Sequence, residues 1–176
     1  MTRLRLVPLL LLFAFLPQAK AQVGVYGSFT ASKLNAPNTS WFYGPTFGAY
    51  YDGAHFPLVN FGIDARAALL GSGAEPSTKV DSVLVGPRAV LHAPVLPLRP
   101  YAEALVGAAH VQIGQGTAYS SGSHINYGFA AGVDMTFFPR LDWRVVEYTY
   151  TRFTGSSGAD AQKTLSTGLV FRIPFL

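Results

Sequence analysis

The chain has 176 residues, of which 12% are charged, 14% are aromatic and none is cysteine. This composition excludes a disordered chain, which would be rich in charge and poor in aromatics, and it excludes disulfide frameworks and thiolate zinc sites. The length fits a single domain, and the charged fraction is about half of that in soluble domains.

The first 21 residues have the three parts of a secretory signal peptide. Two arginines precede an apolar stretch over Leu6–Leu16, which is too short to span a bilayer, and Ala19-Lys20-Ala21 is a cleavage motif. We expect residues 1–21 to be removed and residues 22–176 to form the mature domain.

The net charge of +4 belongs mostly to this leader. It holds three of the 13 basic residues and none of the nine acidic ones, so ten basic and nine acidic residues remain, a net charge of +1. A basic surface for nucleic acid is therefore not expected.

The mature chain alternates between apolar and polar residues with a period of two, which indicates strands with two different faces. No stretch after the leader has 18 uncharged apolar residues, so helical membrane spans are not expected. Strands are predicted, in chain order, over residues 23–31, 41–52, 59–70, 80–91, 101–113, 124–138, 143–153 and 164–176.

The connections between these strands also alternate in character. Polar connections of about 8–10 residues follow the odd strands, and connections that are shorter on average follow the even ones. The longer set is Lys33–Ser40, Gly71–Lys79, Gly114–Ser123 and Thr154–Lys163, and the shorter set is Gly53–Pro57, His92–Pro100 and Pro139–Asp142. This order predicts an up-and-down barrel with its N-terminus in the periplasm.

Size and charge decide which face points outward. The polar face carries small residues and isolated charges, whereas a solvated exterior would carry many lysines and glutamates. The only lysines after the leader are Lys33, Lys79 and Lys163, and all three fall in predicted outer loops. The sequence therefore predicts an all-β, eight-stranded antiparallel up-and-down transmembrane β-barrel after an N-terminal signal peptide, located in the bacterial outer membrane.

Aromatic residues near the strand ends are expected to form belts at the two lipid–water interfaces. The outer belt is predicted to contain Trp41, Phe42, Tyr43, Tyr148, Tyr150 and Phe153. The periplasmic belt is predicted to contain Tyr50, Tyr51, Tyr101, Phe137, Phe138, Trp143 and Phe175.

A set of charged residues is predicted to meet in the lumen, where isolated charges would be very costly. The set is Asp64, Arg66, Arg88, Glu103, Asp134, Glu147 and Arg172. Two readings stay open: a salt-bridge network that closes the barrel, and a gate whose re-pairing opens a small pore. The fifth strand can also be read with Leu105, Val111 and Ile113 outward, which would move Glu103 to the lipid boundary.

The remaining polar residues give no catalytic, cofactor or metal site. The four histidines have no ligand spacing on one face. His124 with Ser121 or Ser123 and Asn126 has the residue types of outer-membrane lipid A deacylases and phospholipases. Serine-rich loops supply such neighbours by chance, so we expect a protein that is not an enzyme.

Three stretches resemble the OmpA-type and OmpX-type eight-stranded outer-membrane barrels, the porin-family outer-membrane β-barrel proteins. They are Pro100-Tyr101-Ala102-Glu103 with Gly107, residues 129–134, and residues 143–150. The similarity covers essentially all of the mature chain, so we expect no peptidoglycan-binding domain.

The last strand is similar to the C-terminal insertion signal of that family. Its residues are Ser166, Gly168, Phe171, Ile173 and Phe175, although the family usually ends on an aromatic residue and this chain ends on Leu176. The resemblance implies outer-membrane lipid, the barrel-assembly machinery and periplasmic chaperones as partners, and a monomer. It implies a structural or surface-interaction role with a plugged polar lumen; a narrow passive channel for small solutes or a lipid-modifying enzyme are the alternatives.

Overall fold

The computed structural model describes residues 22–35, 40–73, 77–91, 97–115, 118–155 and 161–174. The predicted signal peptide and Phe175 lie outside these ranges. Among the residues described, no helix is long and apolar enough to cross a membrane. The strands are β1 (Gln22–Leu34), β2 (Phe42–His55), β3 (Val59–Gly71), β4 (Ser77–Leu91), β5 (Leu98–Gln115), β6 (Ala118–Phe138), β7 (Leu141–Phe153) and β8 (Ala161–Pro174).

Each strand pairs antiparallel with its neighbour in sequence, and β1 pairs with β8 to close the barrel. The closing register runs from Gln22 opposite Pro174 to Leu34 opposite Gln162. Closure pairs the strand edges with one another, as a bilayer requires, and eight strands leave an interior just wide enough for side chains. The predicted eight-stranded antiparallel barrel is confirmed.

The alternation of side chains separates a lipid face from a lumen. On β3, Phe61, Ile63 and Leu69 point outward and are about half exposed, whereas Asp64 and Arg66 are buried inside. On β5 the odd-numbered side chains up to Val111 point inward, so Leu105 and Val111 are buried in the lumen. The alternative reading of the fifth strand was therefore wrong, and Glu103 faces the lumen.

Four aromatic residues predicted for the belts point into the barrel instead. Phe42, Tyr50, Tyr101 and Phe153 are all buried, because each has the parity of the lumen-facing residues on its strand. The position of a residue along a strand indicates its depth in the membrane. Its place in the alternation of inward and outward side chains decides whether it faces lipid or the lumen. The predicted belt residues that are exposed on the outer face include Trp41, Tyr43, Tyr51, Trp143 and Tyr148.

The barrel has a turn end, with the β2–β3, β4–β5 and β6–β7 connections, and a loop end with the other four. By the rule that short turns face the periplasm, the loop end faces the cell exterior. The predicted loop Gly114–Ser123 was wrong, because β5 continues to Gln115 and β6 begins at Ala118. Pairing of β6 with β7 starts only at Asn126, so the first part of β6 extends beyond β7, whereas β5 stays paired with β4 up to Gly114.

The three lysines also lie in strands and not in loops. Lys33, Lys79 and Lys163 are outward-facing residues of β1, β4 and β8 near the loop end. Their strands continue into the polar boundary because backbone pairing does not depend on the side chain.

Candidate functional site: the charged lumen

The lumen contains six carboxylates and five arginines among the residues that the structure describes, a formal net charge of −1. They come from seven strands and are almost completely removed from solvent, apart from one arginine near the turn end. The set is Asp52, Asp64, Arg66, Arg88, Arg99, Glu103, Asp134, Asp142, Arg144, Glu147 and Arg172. Charges buried in this way need close partners of opposite sign.

Six of these side chains form a closed ring in which positive and negative charges alternate. The ring runs through Arg66, Glu103, Arg88, Asp134, Arg144 and Glu147 and returns to Arg66. Its members come from β3, β4, β5, β6 and β7, so the ring joins five of the eight strands through the lumen.

Arg66 makes three ion pairs. Its Nε lies 2.8 Å from Asp64 Oδ1, its Nη1 lies 2.8 Å from Glu147 Oε1, and its Nη2 donates to Glu103 Oε2. A guanidinium can serve three carboxylates because its five N–H donors point in fixed, divergent directions.

Arg88 and Arg144 complete the ring on its other side. Arg88 Nη1 lies 2.5 Å from Glu103 Oε1, and Nη2 lies 3.2 Å from Asp134 Oδ2. Arg144 Nε lies 3.1 Å from Asp134 Oδ1, and Nη1 lies 3.1 Å from Glu147 Oε2. Each ring carboxylate therefore joins two arginines.

Three buried tyrosines pack against the arginines of the ring. The Arg88 guanidinium carbon lies 4.3 Å from the ring centre of Tyr50 and 3.9 Å from that of Tyr101. The guanidinium carbon of Arg144 lies 4.0 Å from the ring centre of Tyr26 and 4.9 Å from that of Tyr101. Cation–π contacts of this kind are strongest where water is excluded.

Two of these tyrosines also donate hydrogen bonds to the carboxylates. Tyr101 Oη donates to Glu147 Oε2 over 2.6 Å. Tyr26 Oη lies 3.0 Å from both carboxylate oxygens of Asp64. The tyrosines thus satisfy carboxylate lone pairs that the arginines leave open, as a buried charge network requires.

A second group of charges lies closer to the turn end. Asp142 lies 3.3 Å from Arg99 and 2.9 Å from Arg172, measured between the charged atoms. Asp52 lies 3.9 Å from Arg99 and 3.9 Å from Arg88, and so connects this group to the ring. Ion pairs therefore link all eleven lumen charges directly or through one another.

A small polar chamber lies on the loop-end side of the ring. Arg66 and Glu147 line it together with seven serine and threonine hydroxyls. The cavity volume is about 30 Å³. This is room for about two water molecules. Asn126 also lines the chamber, and its Oδ1 accepts no hydrogen bond from the described residues.

An apolar cluster, which we call the apolar plug, lies in the lumen beyond this chamber. It consists of the buried residues Leu34, Phe42, Leu70, Val80, Ala109, Val111 and Phe153. Its residues come from the loop-end parts of β1, β2, β3, β4, β5 and β7. The lumen thus has three layers from the turn end outward: charges, a polar chamber and the apolar plug.

The structure places all seven predicted lumen charges inside the barrel. Five of them belong to the ring, Asp64 binds the ring through Arg66, and Arg172 belongs to the turn-end group. Sequence reasoning missed four members of the set: Asp52, Arg99, Asp142 and Arg144. Arg99 and Asp142 were assigned to turns that the structure resolves as strand.

A break in the alternation of β7 explains why Arg144 was missed. The pairing of β7 with β8 shifts register between Arg144 and Glu147, so that these two residues, three apart, both point inward. Trp143 and Val146, also three apart, both point outward. This irregular spacing of apolar residues is the sequence signal of a bulge and could have placed Arg144 in the lumen.

The residues of the predicted insertion signal lie on both faces of β8. Ser166 and Gly168 point inward, and Phe171 and Ile173 are exposed on the lipid face. The alternation expected for this strand is present over the residues described.

The serines and histidine considered for catalysis do not meet. Ser121 and Ser123 have the outward parity of β6, whereas Asn126 is buried in the lumen, and His124 Nδ1 lies 3.3 Å from the carbonyl oxygen of Thr154. Ser123 Oγ instead lies 3.1 Å from Nδ1 of His110 on the exposed outer face. Within the described ranges, no group of three acidic or histidine side chains could hold a metal ion.

Solved structures of outer-membrane barrels are among those that resemble this chain. Neisserial surface protein A is 18% identical with a TM-score of 0.62, over 87% of this chain and 97% of that one. Ail of Yersinia pestis is 16% identical with a TM-score of 0.62, over 88% and 99%. The N-terminal barrel of Pseudomonas aeruginosa OprF is 15% identical with a TM-score of 0.51, over 89% and 100%. At these identities the likeness shows the fold.

A search of curated proteins finds no match to this chain. The family model of the outer membrane protein β-barrel domain matches residues 6–172. This match covers nearly the whole chain. The closed eight-stranded barrel agrees with it. The chain belongs to the outer membrane protein β-barrel domain family and is a protein of the bacterial outer membrane.

Proposed function

We propose that this chain is a non-enzymatic envelope protein with a structural or surface-contact role and a lumen closed by its own side chains. The observation that carries the proposal is the ring of six alternating charges, which ties five strands together through the lumen. The apolar plug supports it, because an ion would lose its hydration on passing an apolar constriction.

The names of two structural neighbours support the surface-contact part of this proposal. Neisserial surface protein A is called a surface protein, and Ail is called the attachment invasion locus protein. Ail has also been crystallised with the heparin analogue sucrose octasulfate. Our chain shares the barrel with them, and the part of β6 that extends beyond β7 offers an outer surface for such contacts.

A narrow passive channel for small solutes is the second candidate function. The polar chamber favours it, because its space of about 30 Å³ could hold water between the ring and the apolar plug. In this case, rearrangement of the ring and the plug would connect the chamber to both sides of the membrane.

Single-channel recording distinguishes these two functions. The mature chain, residues 22–176, would be refolded, inserted into a planar bilayer and checked for insertion by the mobility of the folded band on gels without boiling. We expect no discrete openings from inserted protein. Steady openings would overturn the closed lumen and support the channel.

Lipid analysis tests the absence of enzymatic activity. Membranes of the host bacterium would be compared with and without the chain, by mass spectrometry of the acyl chains of the outer-membrane lipids. We expect the same lipid species in both, and lower resistance of the deletion strain to detergent. A lipid change that disappears with Ser123→Ala or His110→Ala would overturn the proposal.

A further inference from the structure

Three cations form a group on the outer surface of the barrel near its loop end. Lys33 on β1 and Lys163 on β8 are direct register partners, and both are exposed. Arg152 on β7 is exposed, and it lies diagonally from Lys163, because Tyr150 is the partner of Lys163 and Ala161 that of Arg152. We call these three residues the basic patch.

Like charges placed directly opposite each other on adjacent strands destabilise a sheet unless an anion lies between them. Residues directly opposite have Cβ atoms only about 4.5–5.5 Å apart. No residue of the patch forms an ion pair with a carboxylate in the described ranges. Within those ranges, the single outward-facing carboxylate is that of Asp81 on the distant strand β4. Counted over the described residues, the patch therefore has an excess of positive charge that an external anion could balance.

The direction of the patch indicates where such an anion would lie. Its side chains have the same outward parity as Phe29 and Leu165, which are 62% and 46% exposed on the lipid face. Lys33 lies four residues beyond Phe29, about 13 Å along the strand. Tyr150, which pairs with Lys163, is an aromatic residue of the kind found at the headgroup level. The patch thus points sideways into the outer headgroup layer, not upward from the loops.

We propose that the basic patch is a binding site for the phosphate-bearing headgroup of an anionic lipid in the outer leaflet of the membrane. The lipid phosphate would accept hydrogen bonds from the two lysine ammonium groups and the Arg152 guanidinium, and would offset their mutual repulsion. This site is independent of the lumen and would orient and retain the barrel in the lipid layer.

Quenching of Trp41 by brominated lipids measures the local lipid composition. Trp41 precedes Phe42, the register partner of Ser32, and therefore lies at the level of Lys33. The second tryptophan is removed by Trp143→Phe in all proteins. The mature chain is inserted into phosphatidylcholine vesicles that contain a minor fraction of either brominated phosphatidylcholine or brominated phosphatidylglycerol, and quenching by the two is compared.

We expect the relative association of phosphatidylglycerol at Trp41 to exceed that of phosphatidylcholine about five-fold or more. The preference should disappear in Lys33→Gln/Arg152→Gln/Lys163→Gln. It should persist in the matched control Lys79→Gln, an outward lysine near the same end with Asp81 two residues away on its own strand. Equal preference in the triple variant and its parent would overturn the proposal, as would no preference in the parent.

Two further measurements exclude other roles of the patch. In pure phosphatidylcholine the triple variant should unfold at the same or a higher temperature than its parent, because its like charges are gone; a lower temperature would make the patch a structural element and overturn the proposal. Binding of soluble heparin to the parent without any lipid preference would assign the patch to a soluble polyanion, which would also overturn the proposal.

If the triple variant does not fold, Lys163→Gln alone should lower the preference, and an unchanged preference would contradict the proposal.

Discussion

Arg66 makes three short ion pairs in the lumen. Its guanidinium serves Asp64, Glu103 and Glu147, from three different strands, and its side chain is 5% exposed. If the arginine is removed, three buried carboxylates lose a shared partner. Breaking a buried pair by removing one partner costs more than the pair contributes when intact, because the remaining charge is uncompensated.

We therefore predict that Arg66→Met lowers the free energy of unfolding by about 3–5 kcal/mol. Urea unfolding of the refolded barrel in lipid vesicles, followed by tryptophan fluorescence, measures this difference. The control is Lys79→Met, which removes an exposed cation and should change stability by less than about 0.5 kcal/mol. Equal effects of the two substitutions would show that the ring does not stabilise the barrel.

At the scale of the element, close approach of neighbouring strands depends on particular glycines. A Cβ atom built on Gly86 of β4 would lie 1.6 Å from the backbone carbonyl oxygen of Ala104 on β5. A backbone atom cannot move aside as the end of a flexible side chain can. The β4–β5 register is the same at Val85 and at Arg88, on either side of Gly86, so the two strands stay side by side here.

Gly86→Ala is expected to lower the free energy of unfolding by about 1–3 kcal/mol, because the added methyl group overpacks the strand pair. The matched substitution Gly27→Ala on β1 meets only the side chain of Phe47, at an ordinary contact distance of 3.6 Å. It should be neutral or slightly stabilising, since alanine restricts the unfolded chain. The same urea titration compares the two variants, and a Gly86→Ala protein as stable as Gly27→Ala would contradict this account.

The bulge in β7 also acts at this scale. It interrupts the alternation of inward and outward side chains between Arg144 and Glu147, so that both point inward. Arg144 can then contact Asp134, and Glu147 can contact Arg66. A regular strand would point one of the two into lipid, where a charge is expensive. The bulge is thus what allows β7 to contribute two members of the ring.

At the scale of the whole molecule, the closed lumen that we propose would have two barriers in series. The charge network lies towards the turn end and the apolar plug towards the loop end, with the polar chamber between them. We expect them to resist ions for different reasons, the first by occupying the lumen with paired side chains and the second by excluding water.

We predict that both barriers must be weakened before the barrel conducts. Arg66→Gln alone, and Phe42→Ala/Phe153→Ala alone, should remain silent in planar bilayers, whereas the three substitutions together should produce openings. Phe29→Ala/Phe47→Ala, on the lipid face, is the control for loss of aromatic mass. Conductance after either change alone would show that the lumen has a single barrier.

The sequence by itself determined the number of strands, their order and the face of most residues. The period of two is a local property: adjacent side chains of a strand point to opposite sides wherever the strand lies. Asp64 and Arg66 on β3 could therefore be placed on the face opposite Ile63 and Ala65, and size and charge then assigned that face to the lumen. The loss of this signal at Val145 and Val146, where two consecutive residues are bulged, is why Arg144 was not found.

Only the tertiary structure decided which charges meet, how far the β5–β6 hairpin extends, and that Lys33 lies opposite Lys163. Each depends on the stagger of strands around a closed barrel, which joins residues far apart in sequence, such as Arg66 and Glu147. A shift of two residues in one strand pair keeps every side chain on its face and changes every partner. Alternation thus determines the face of a residue, and closure of the barrel determines its partner.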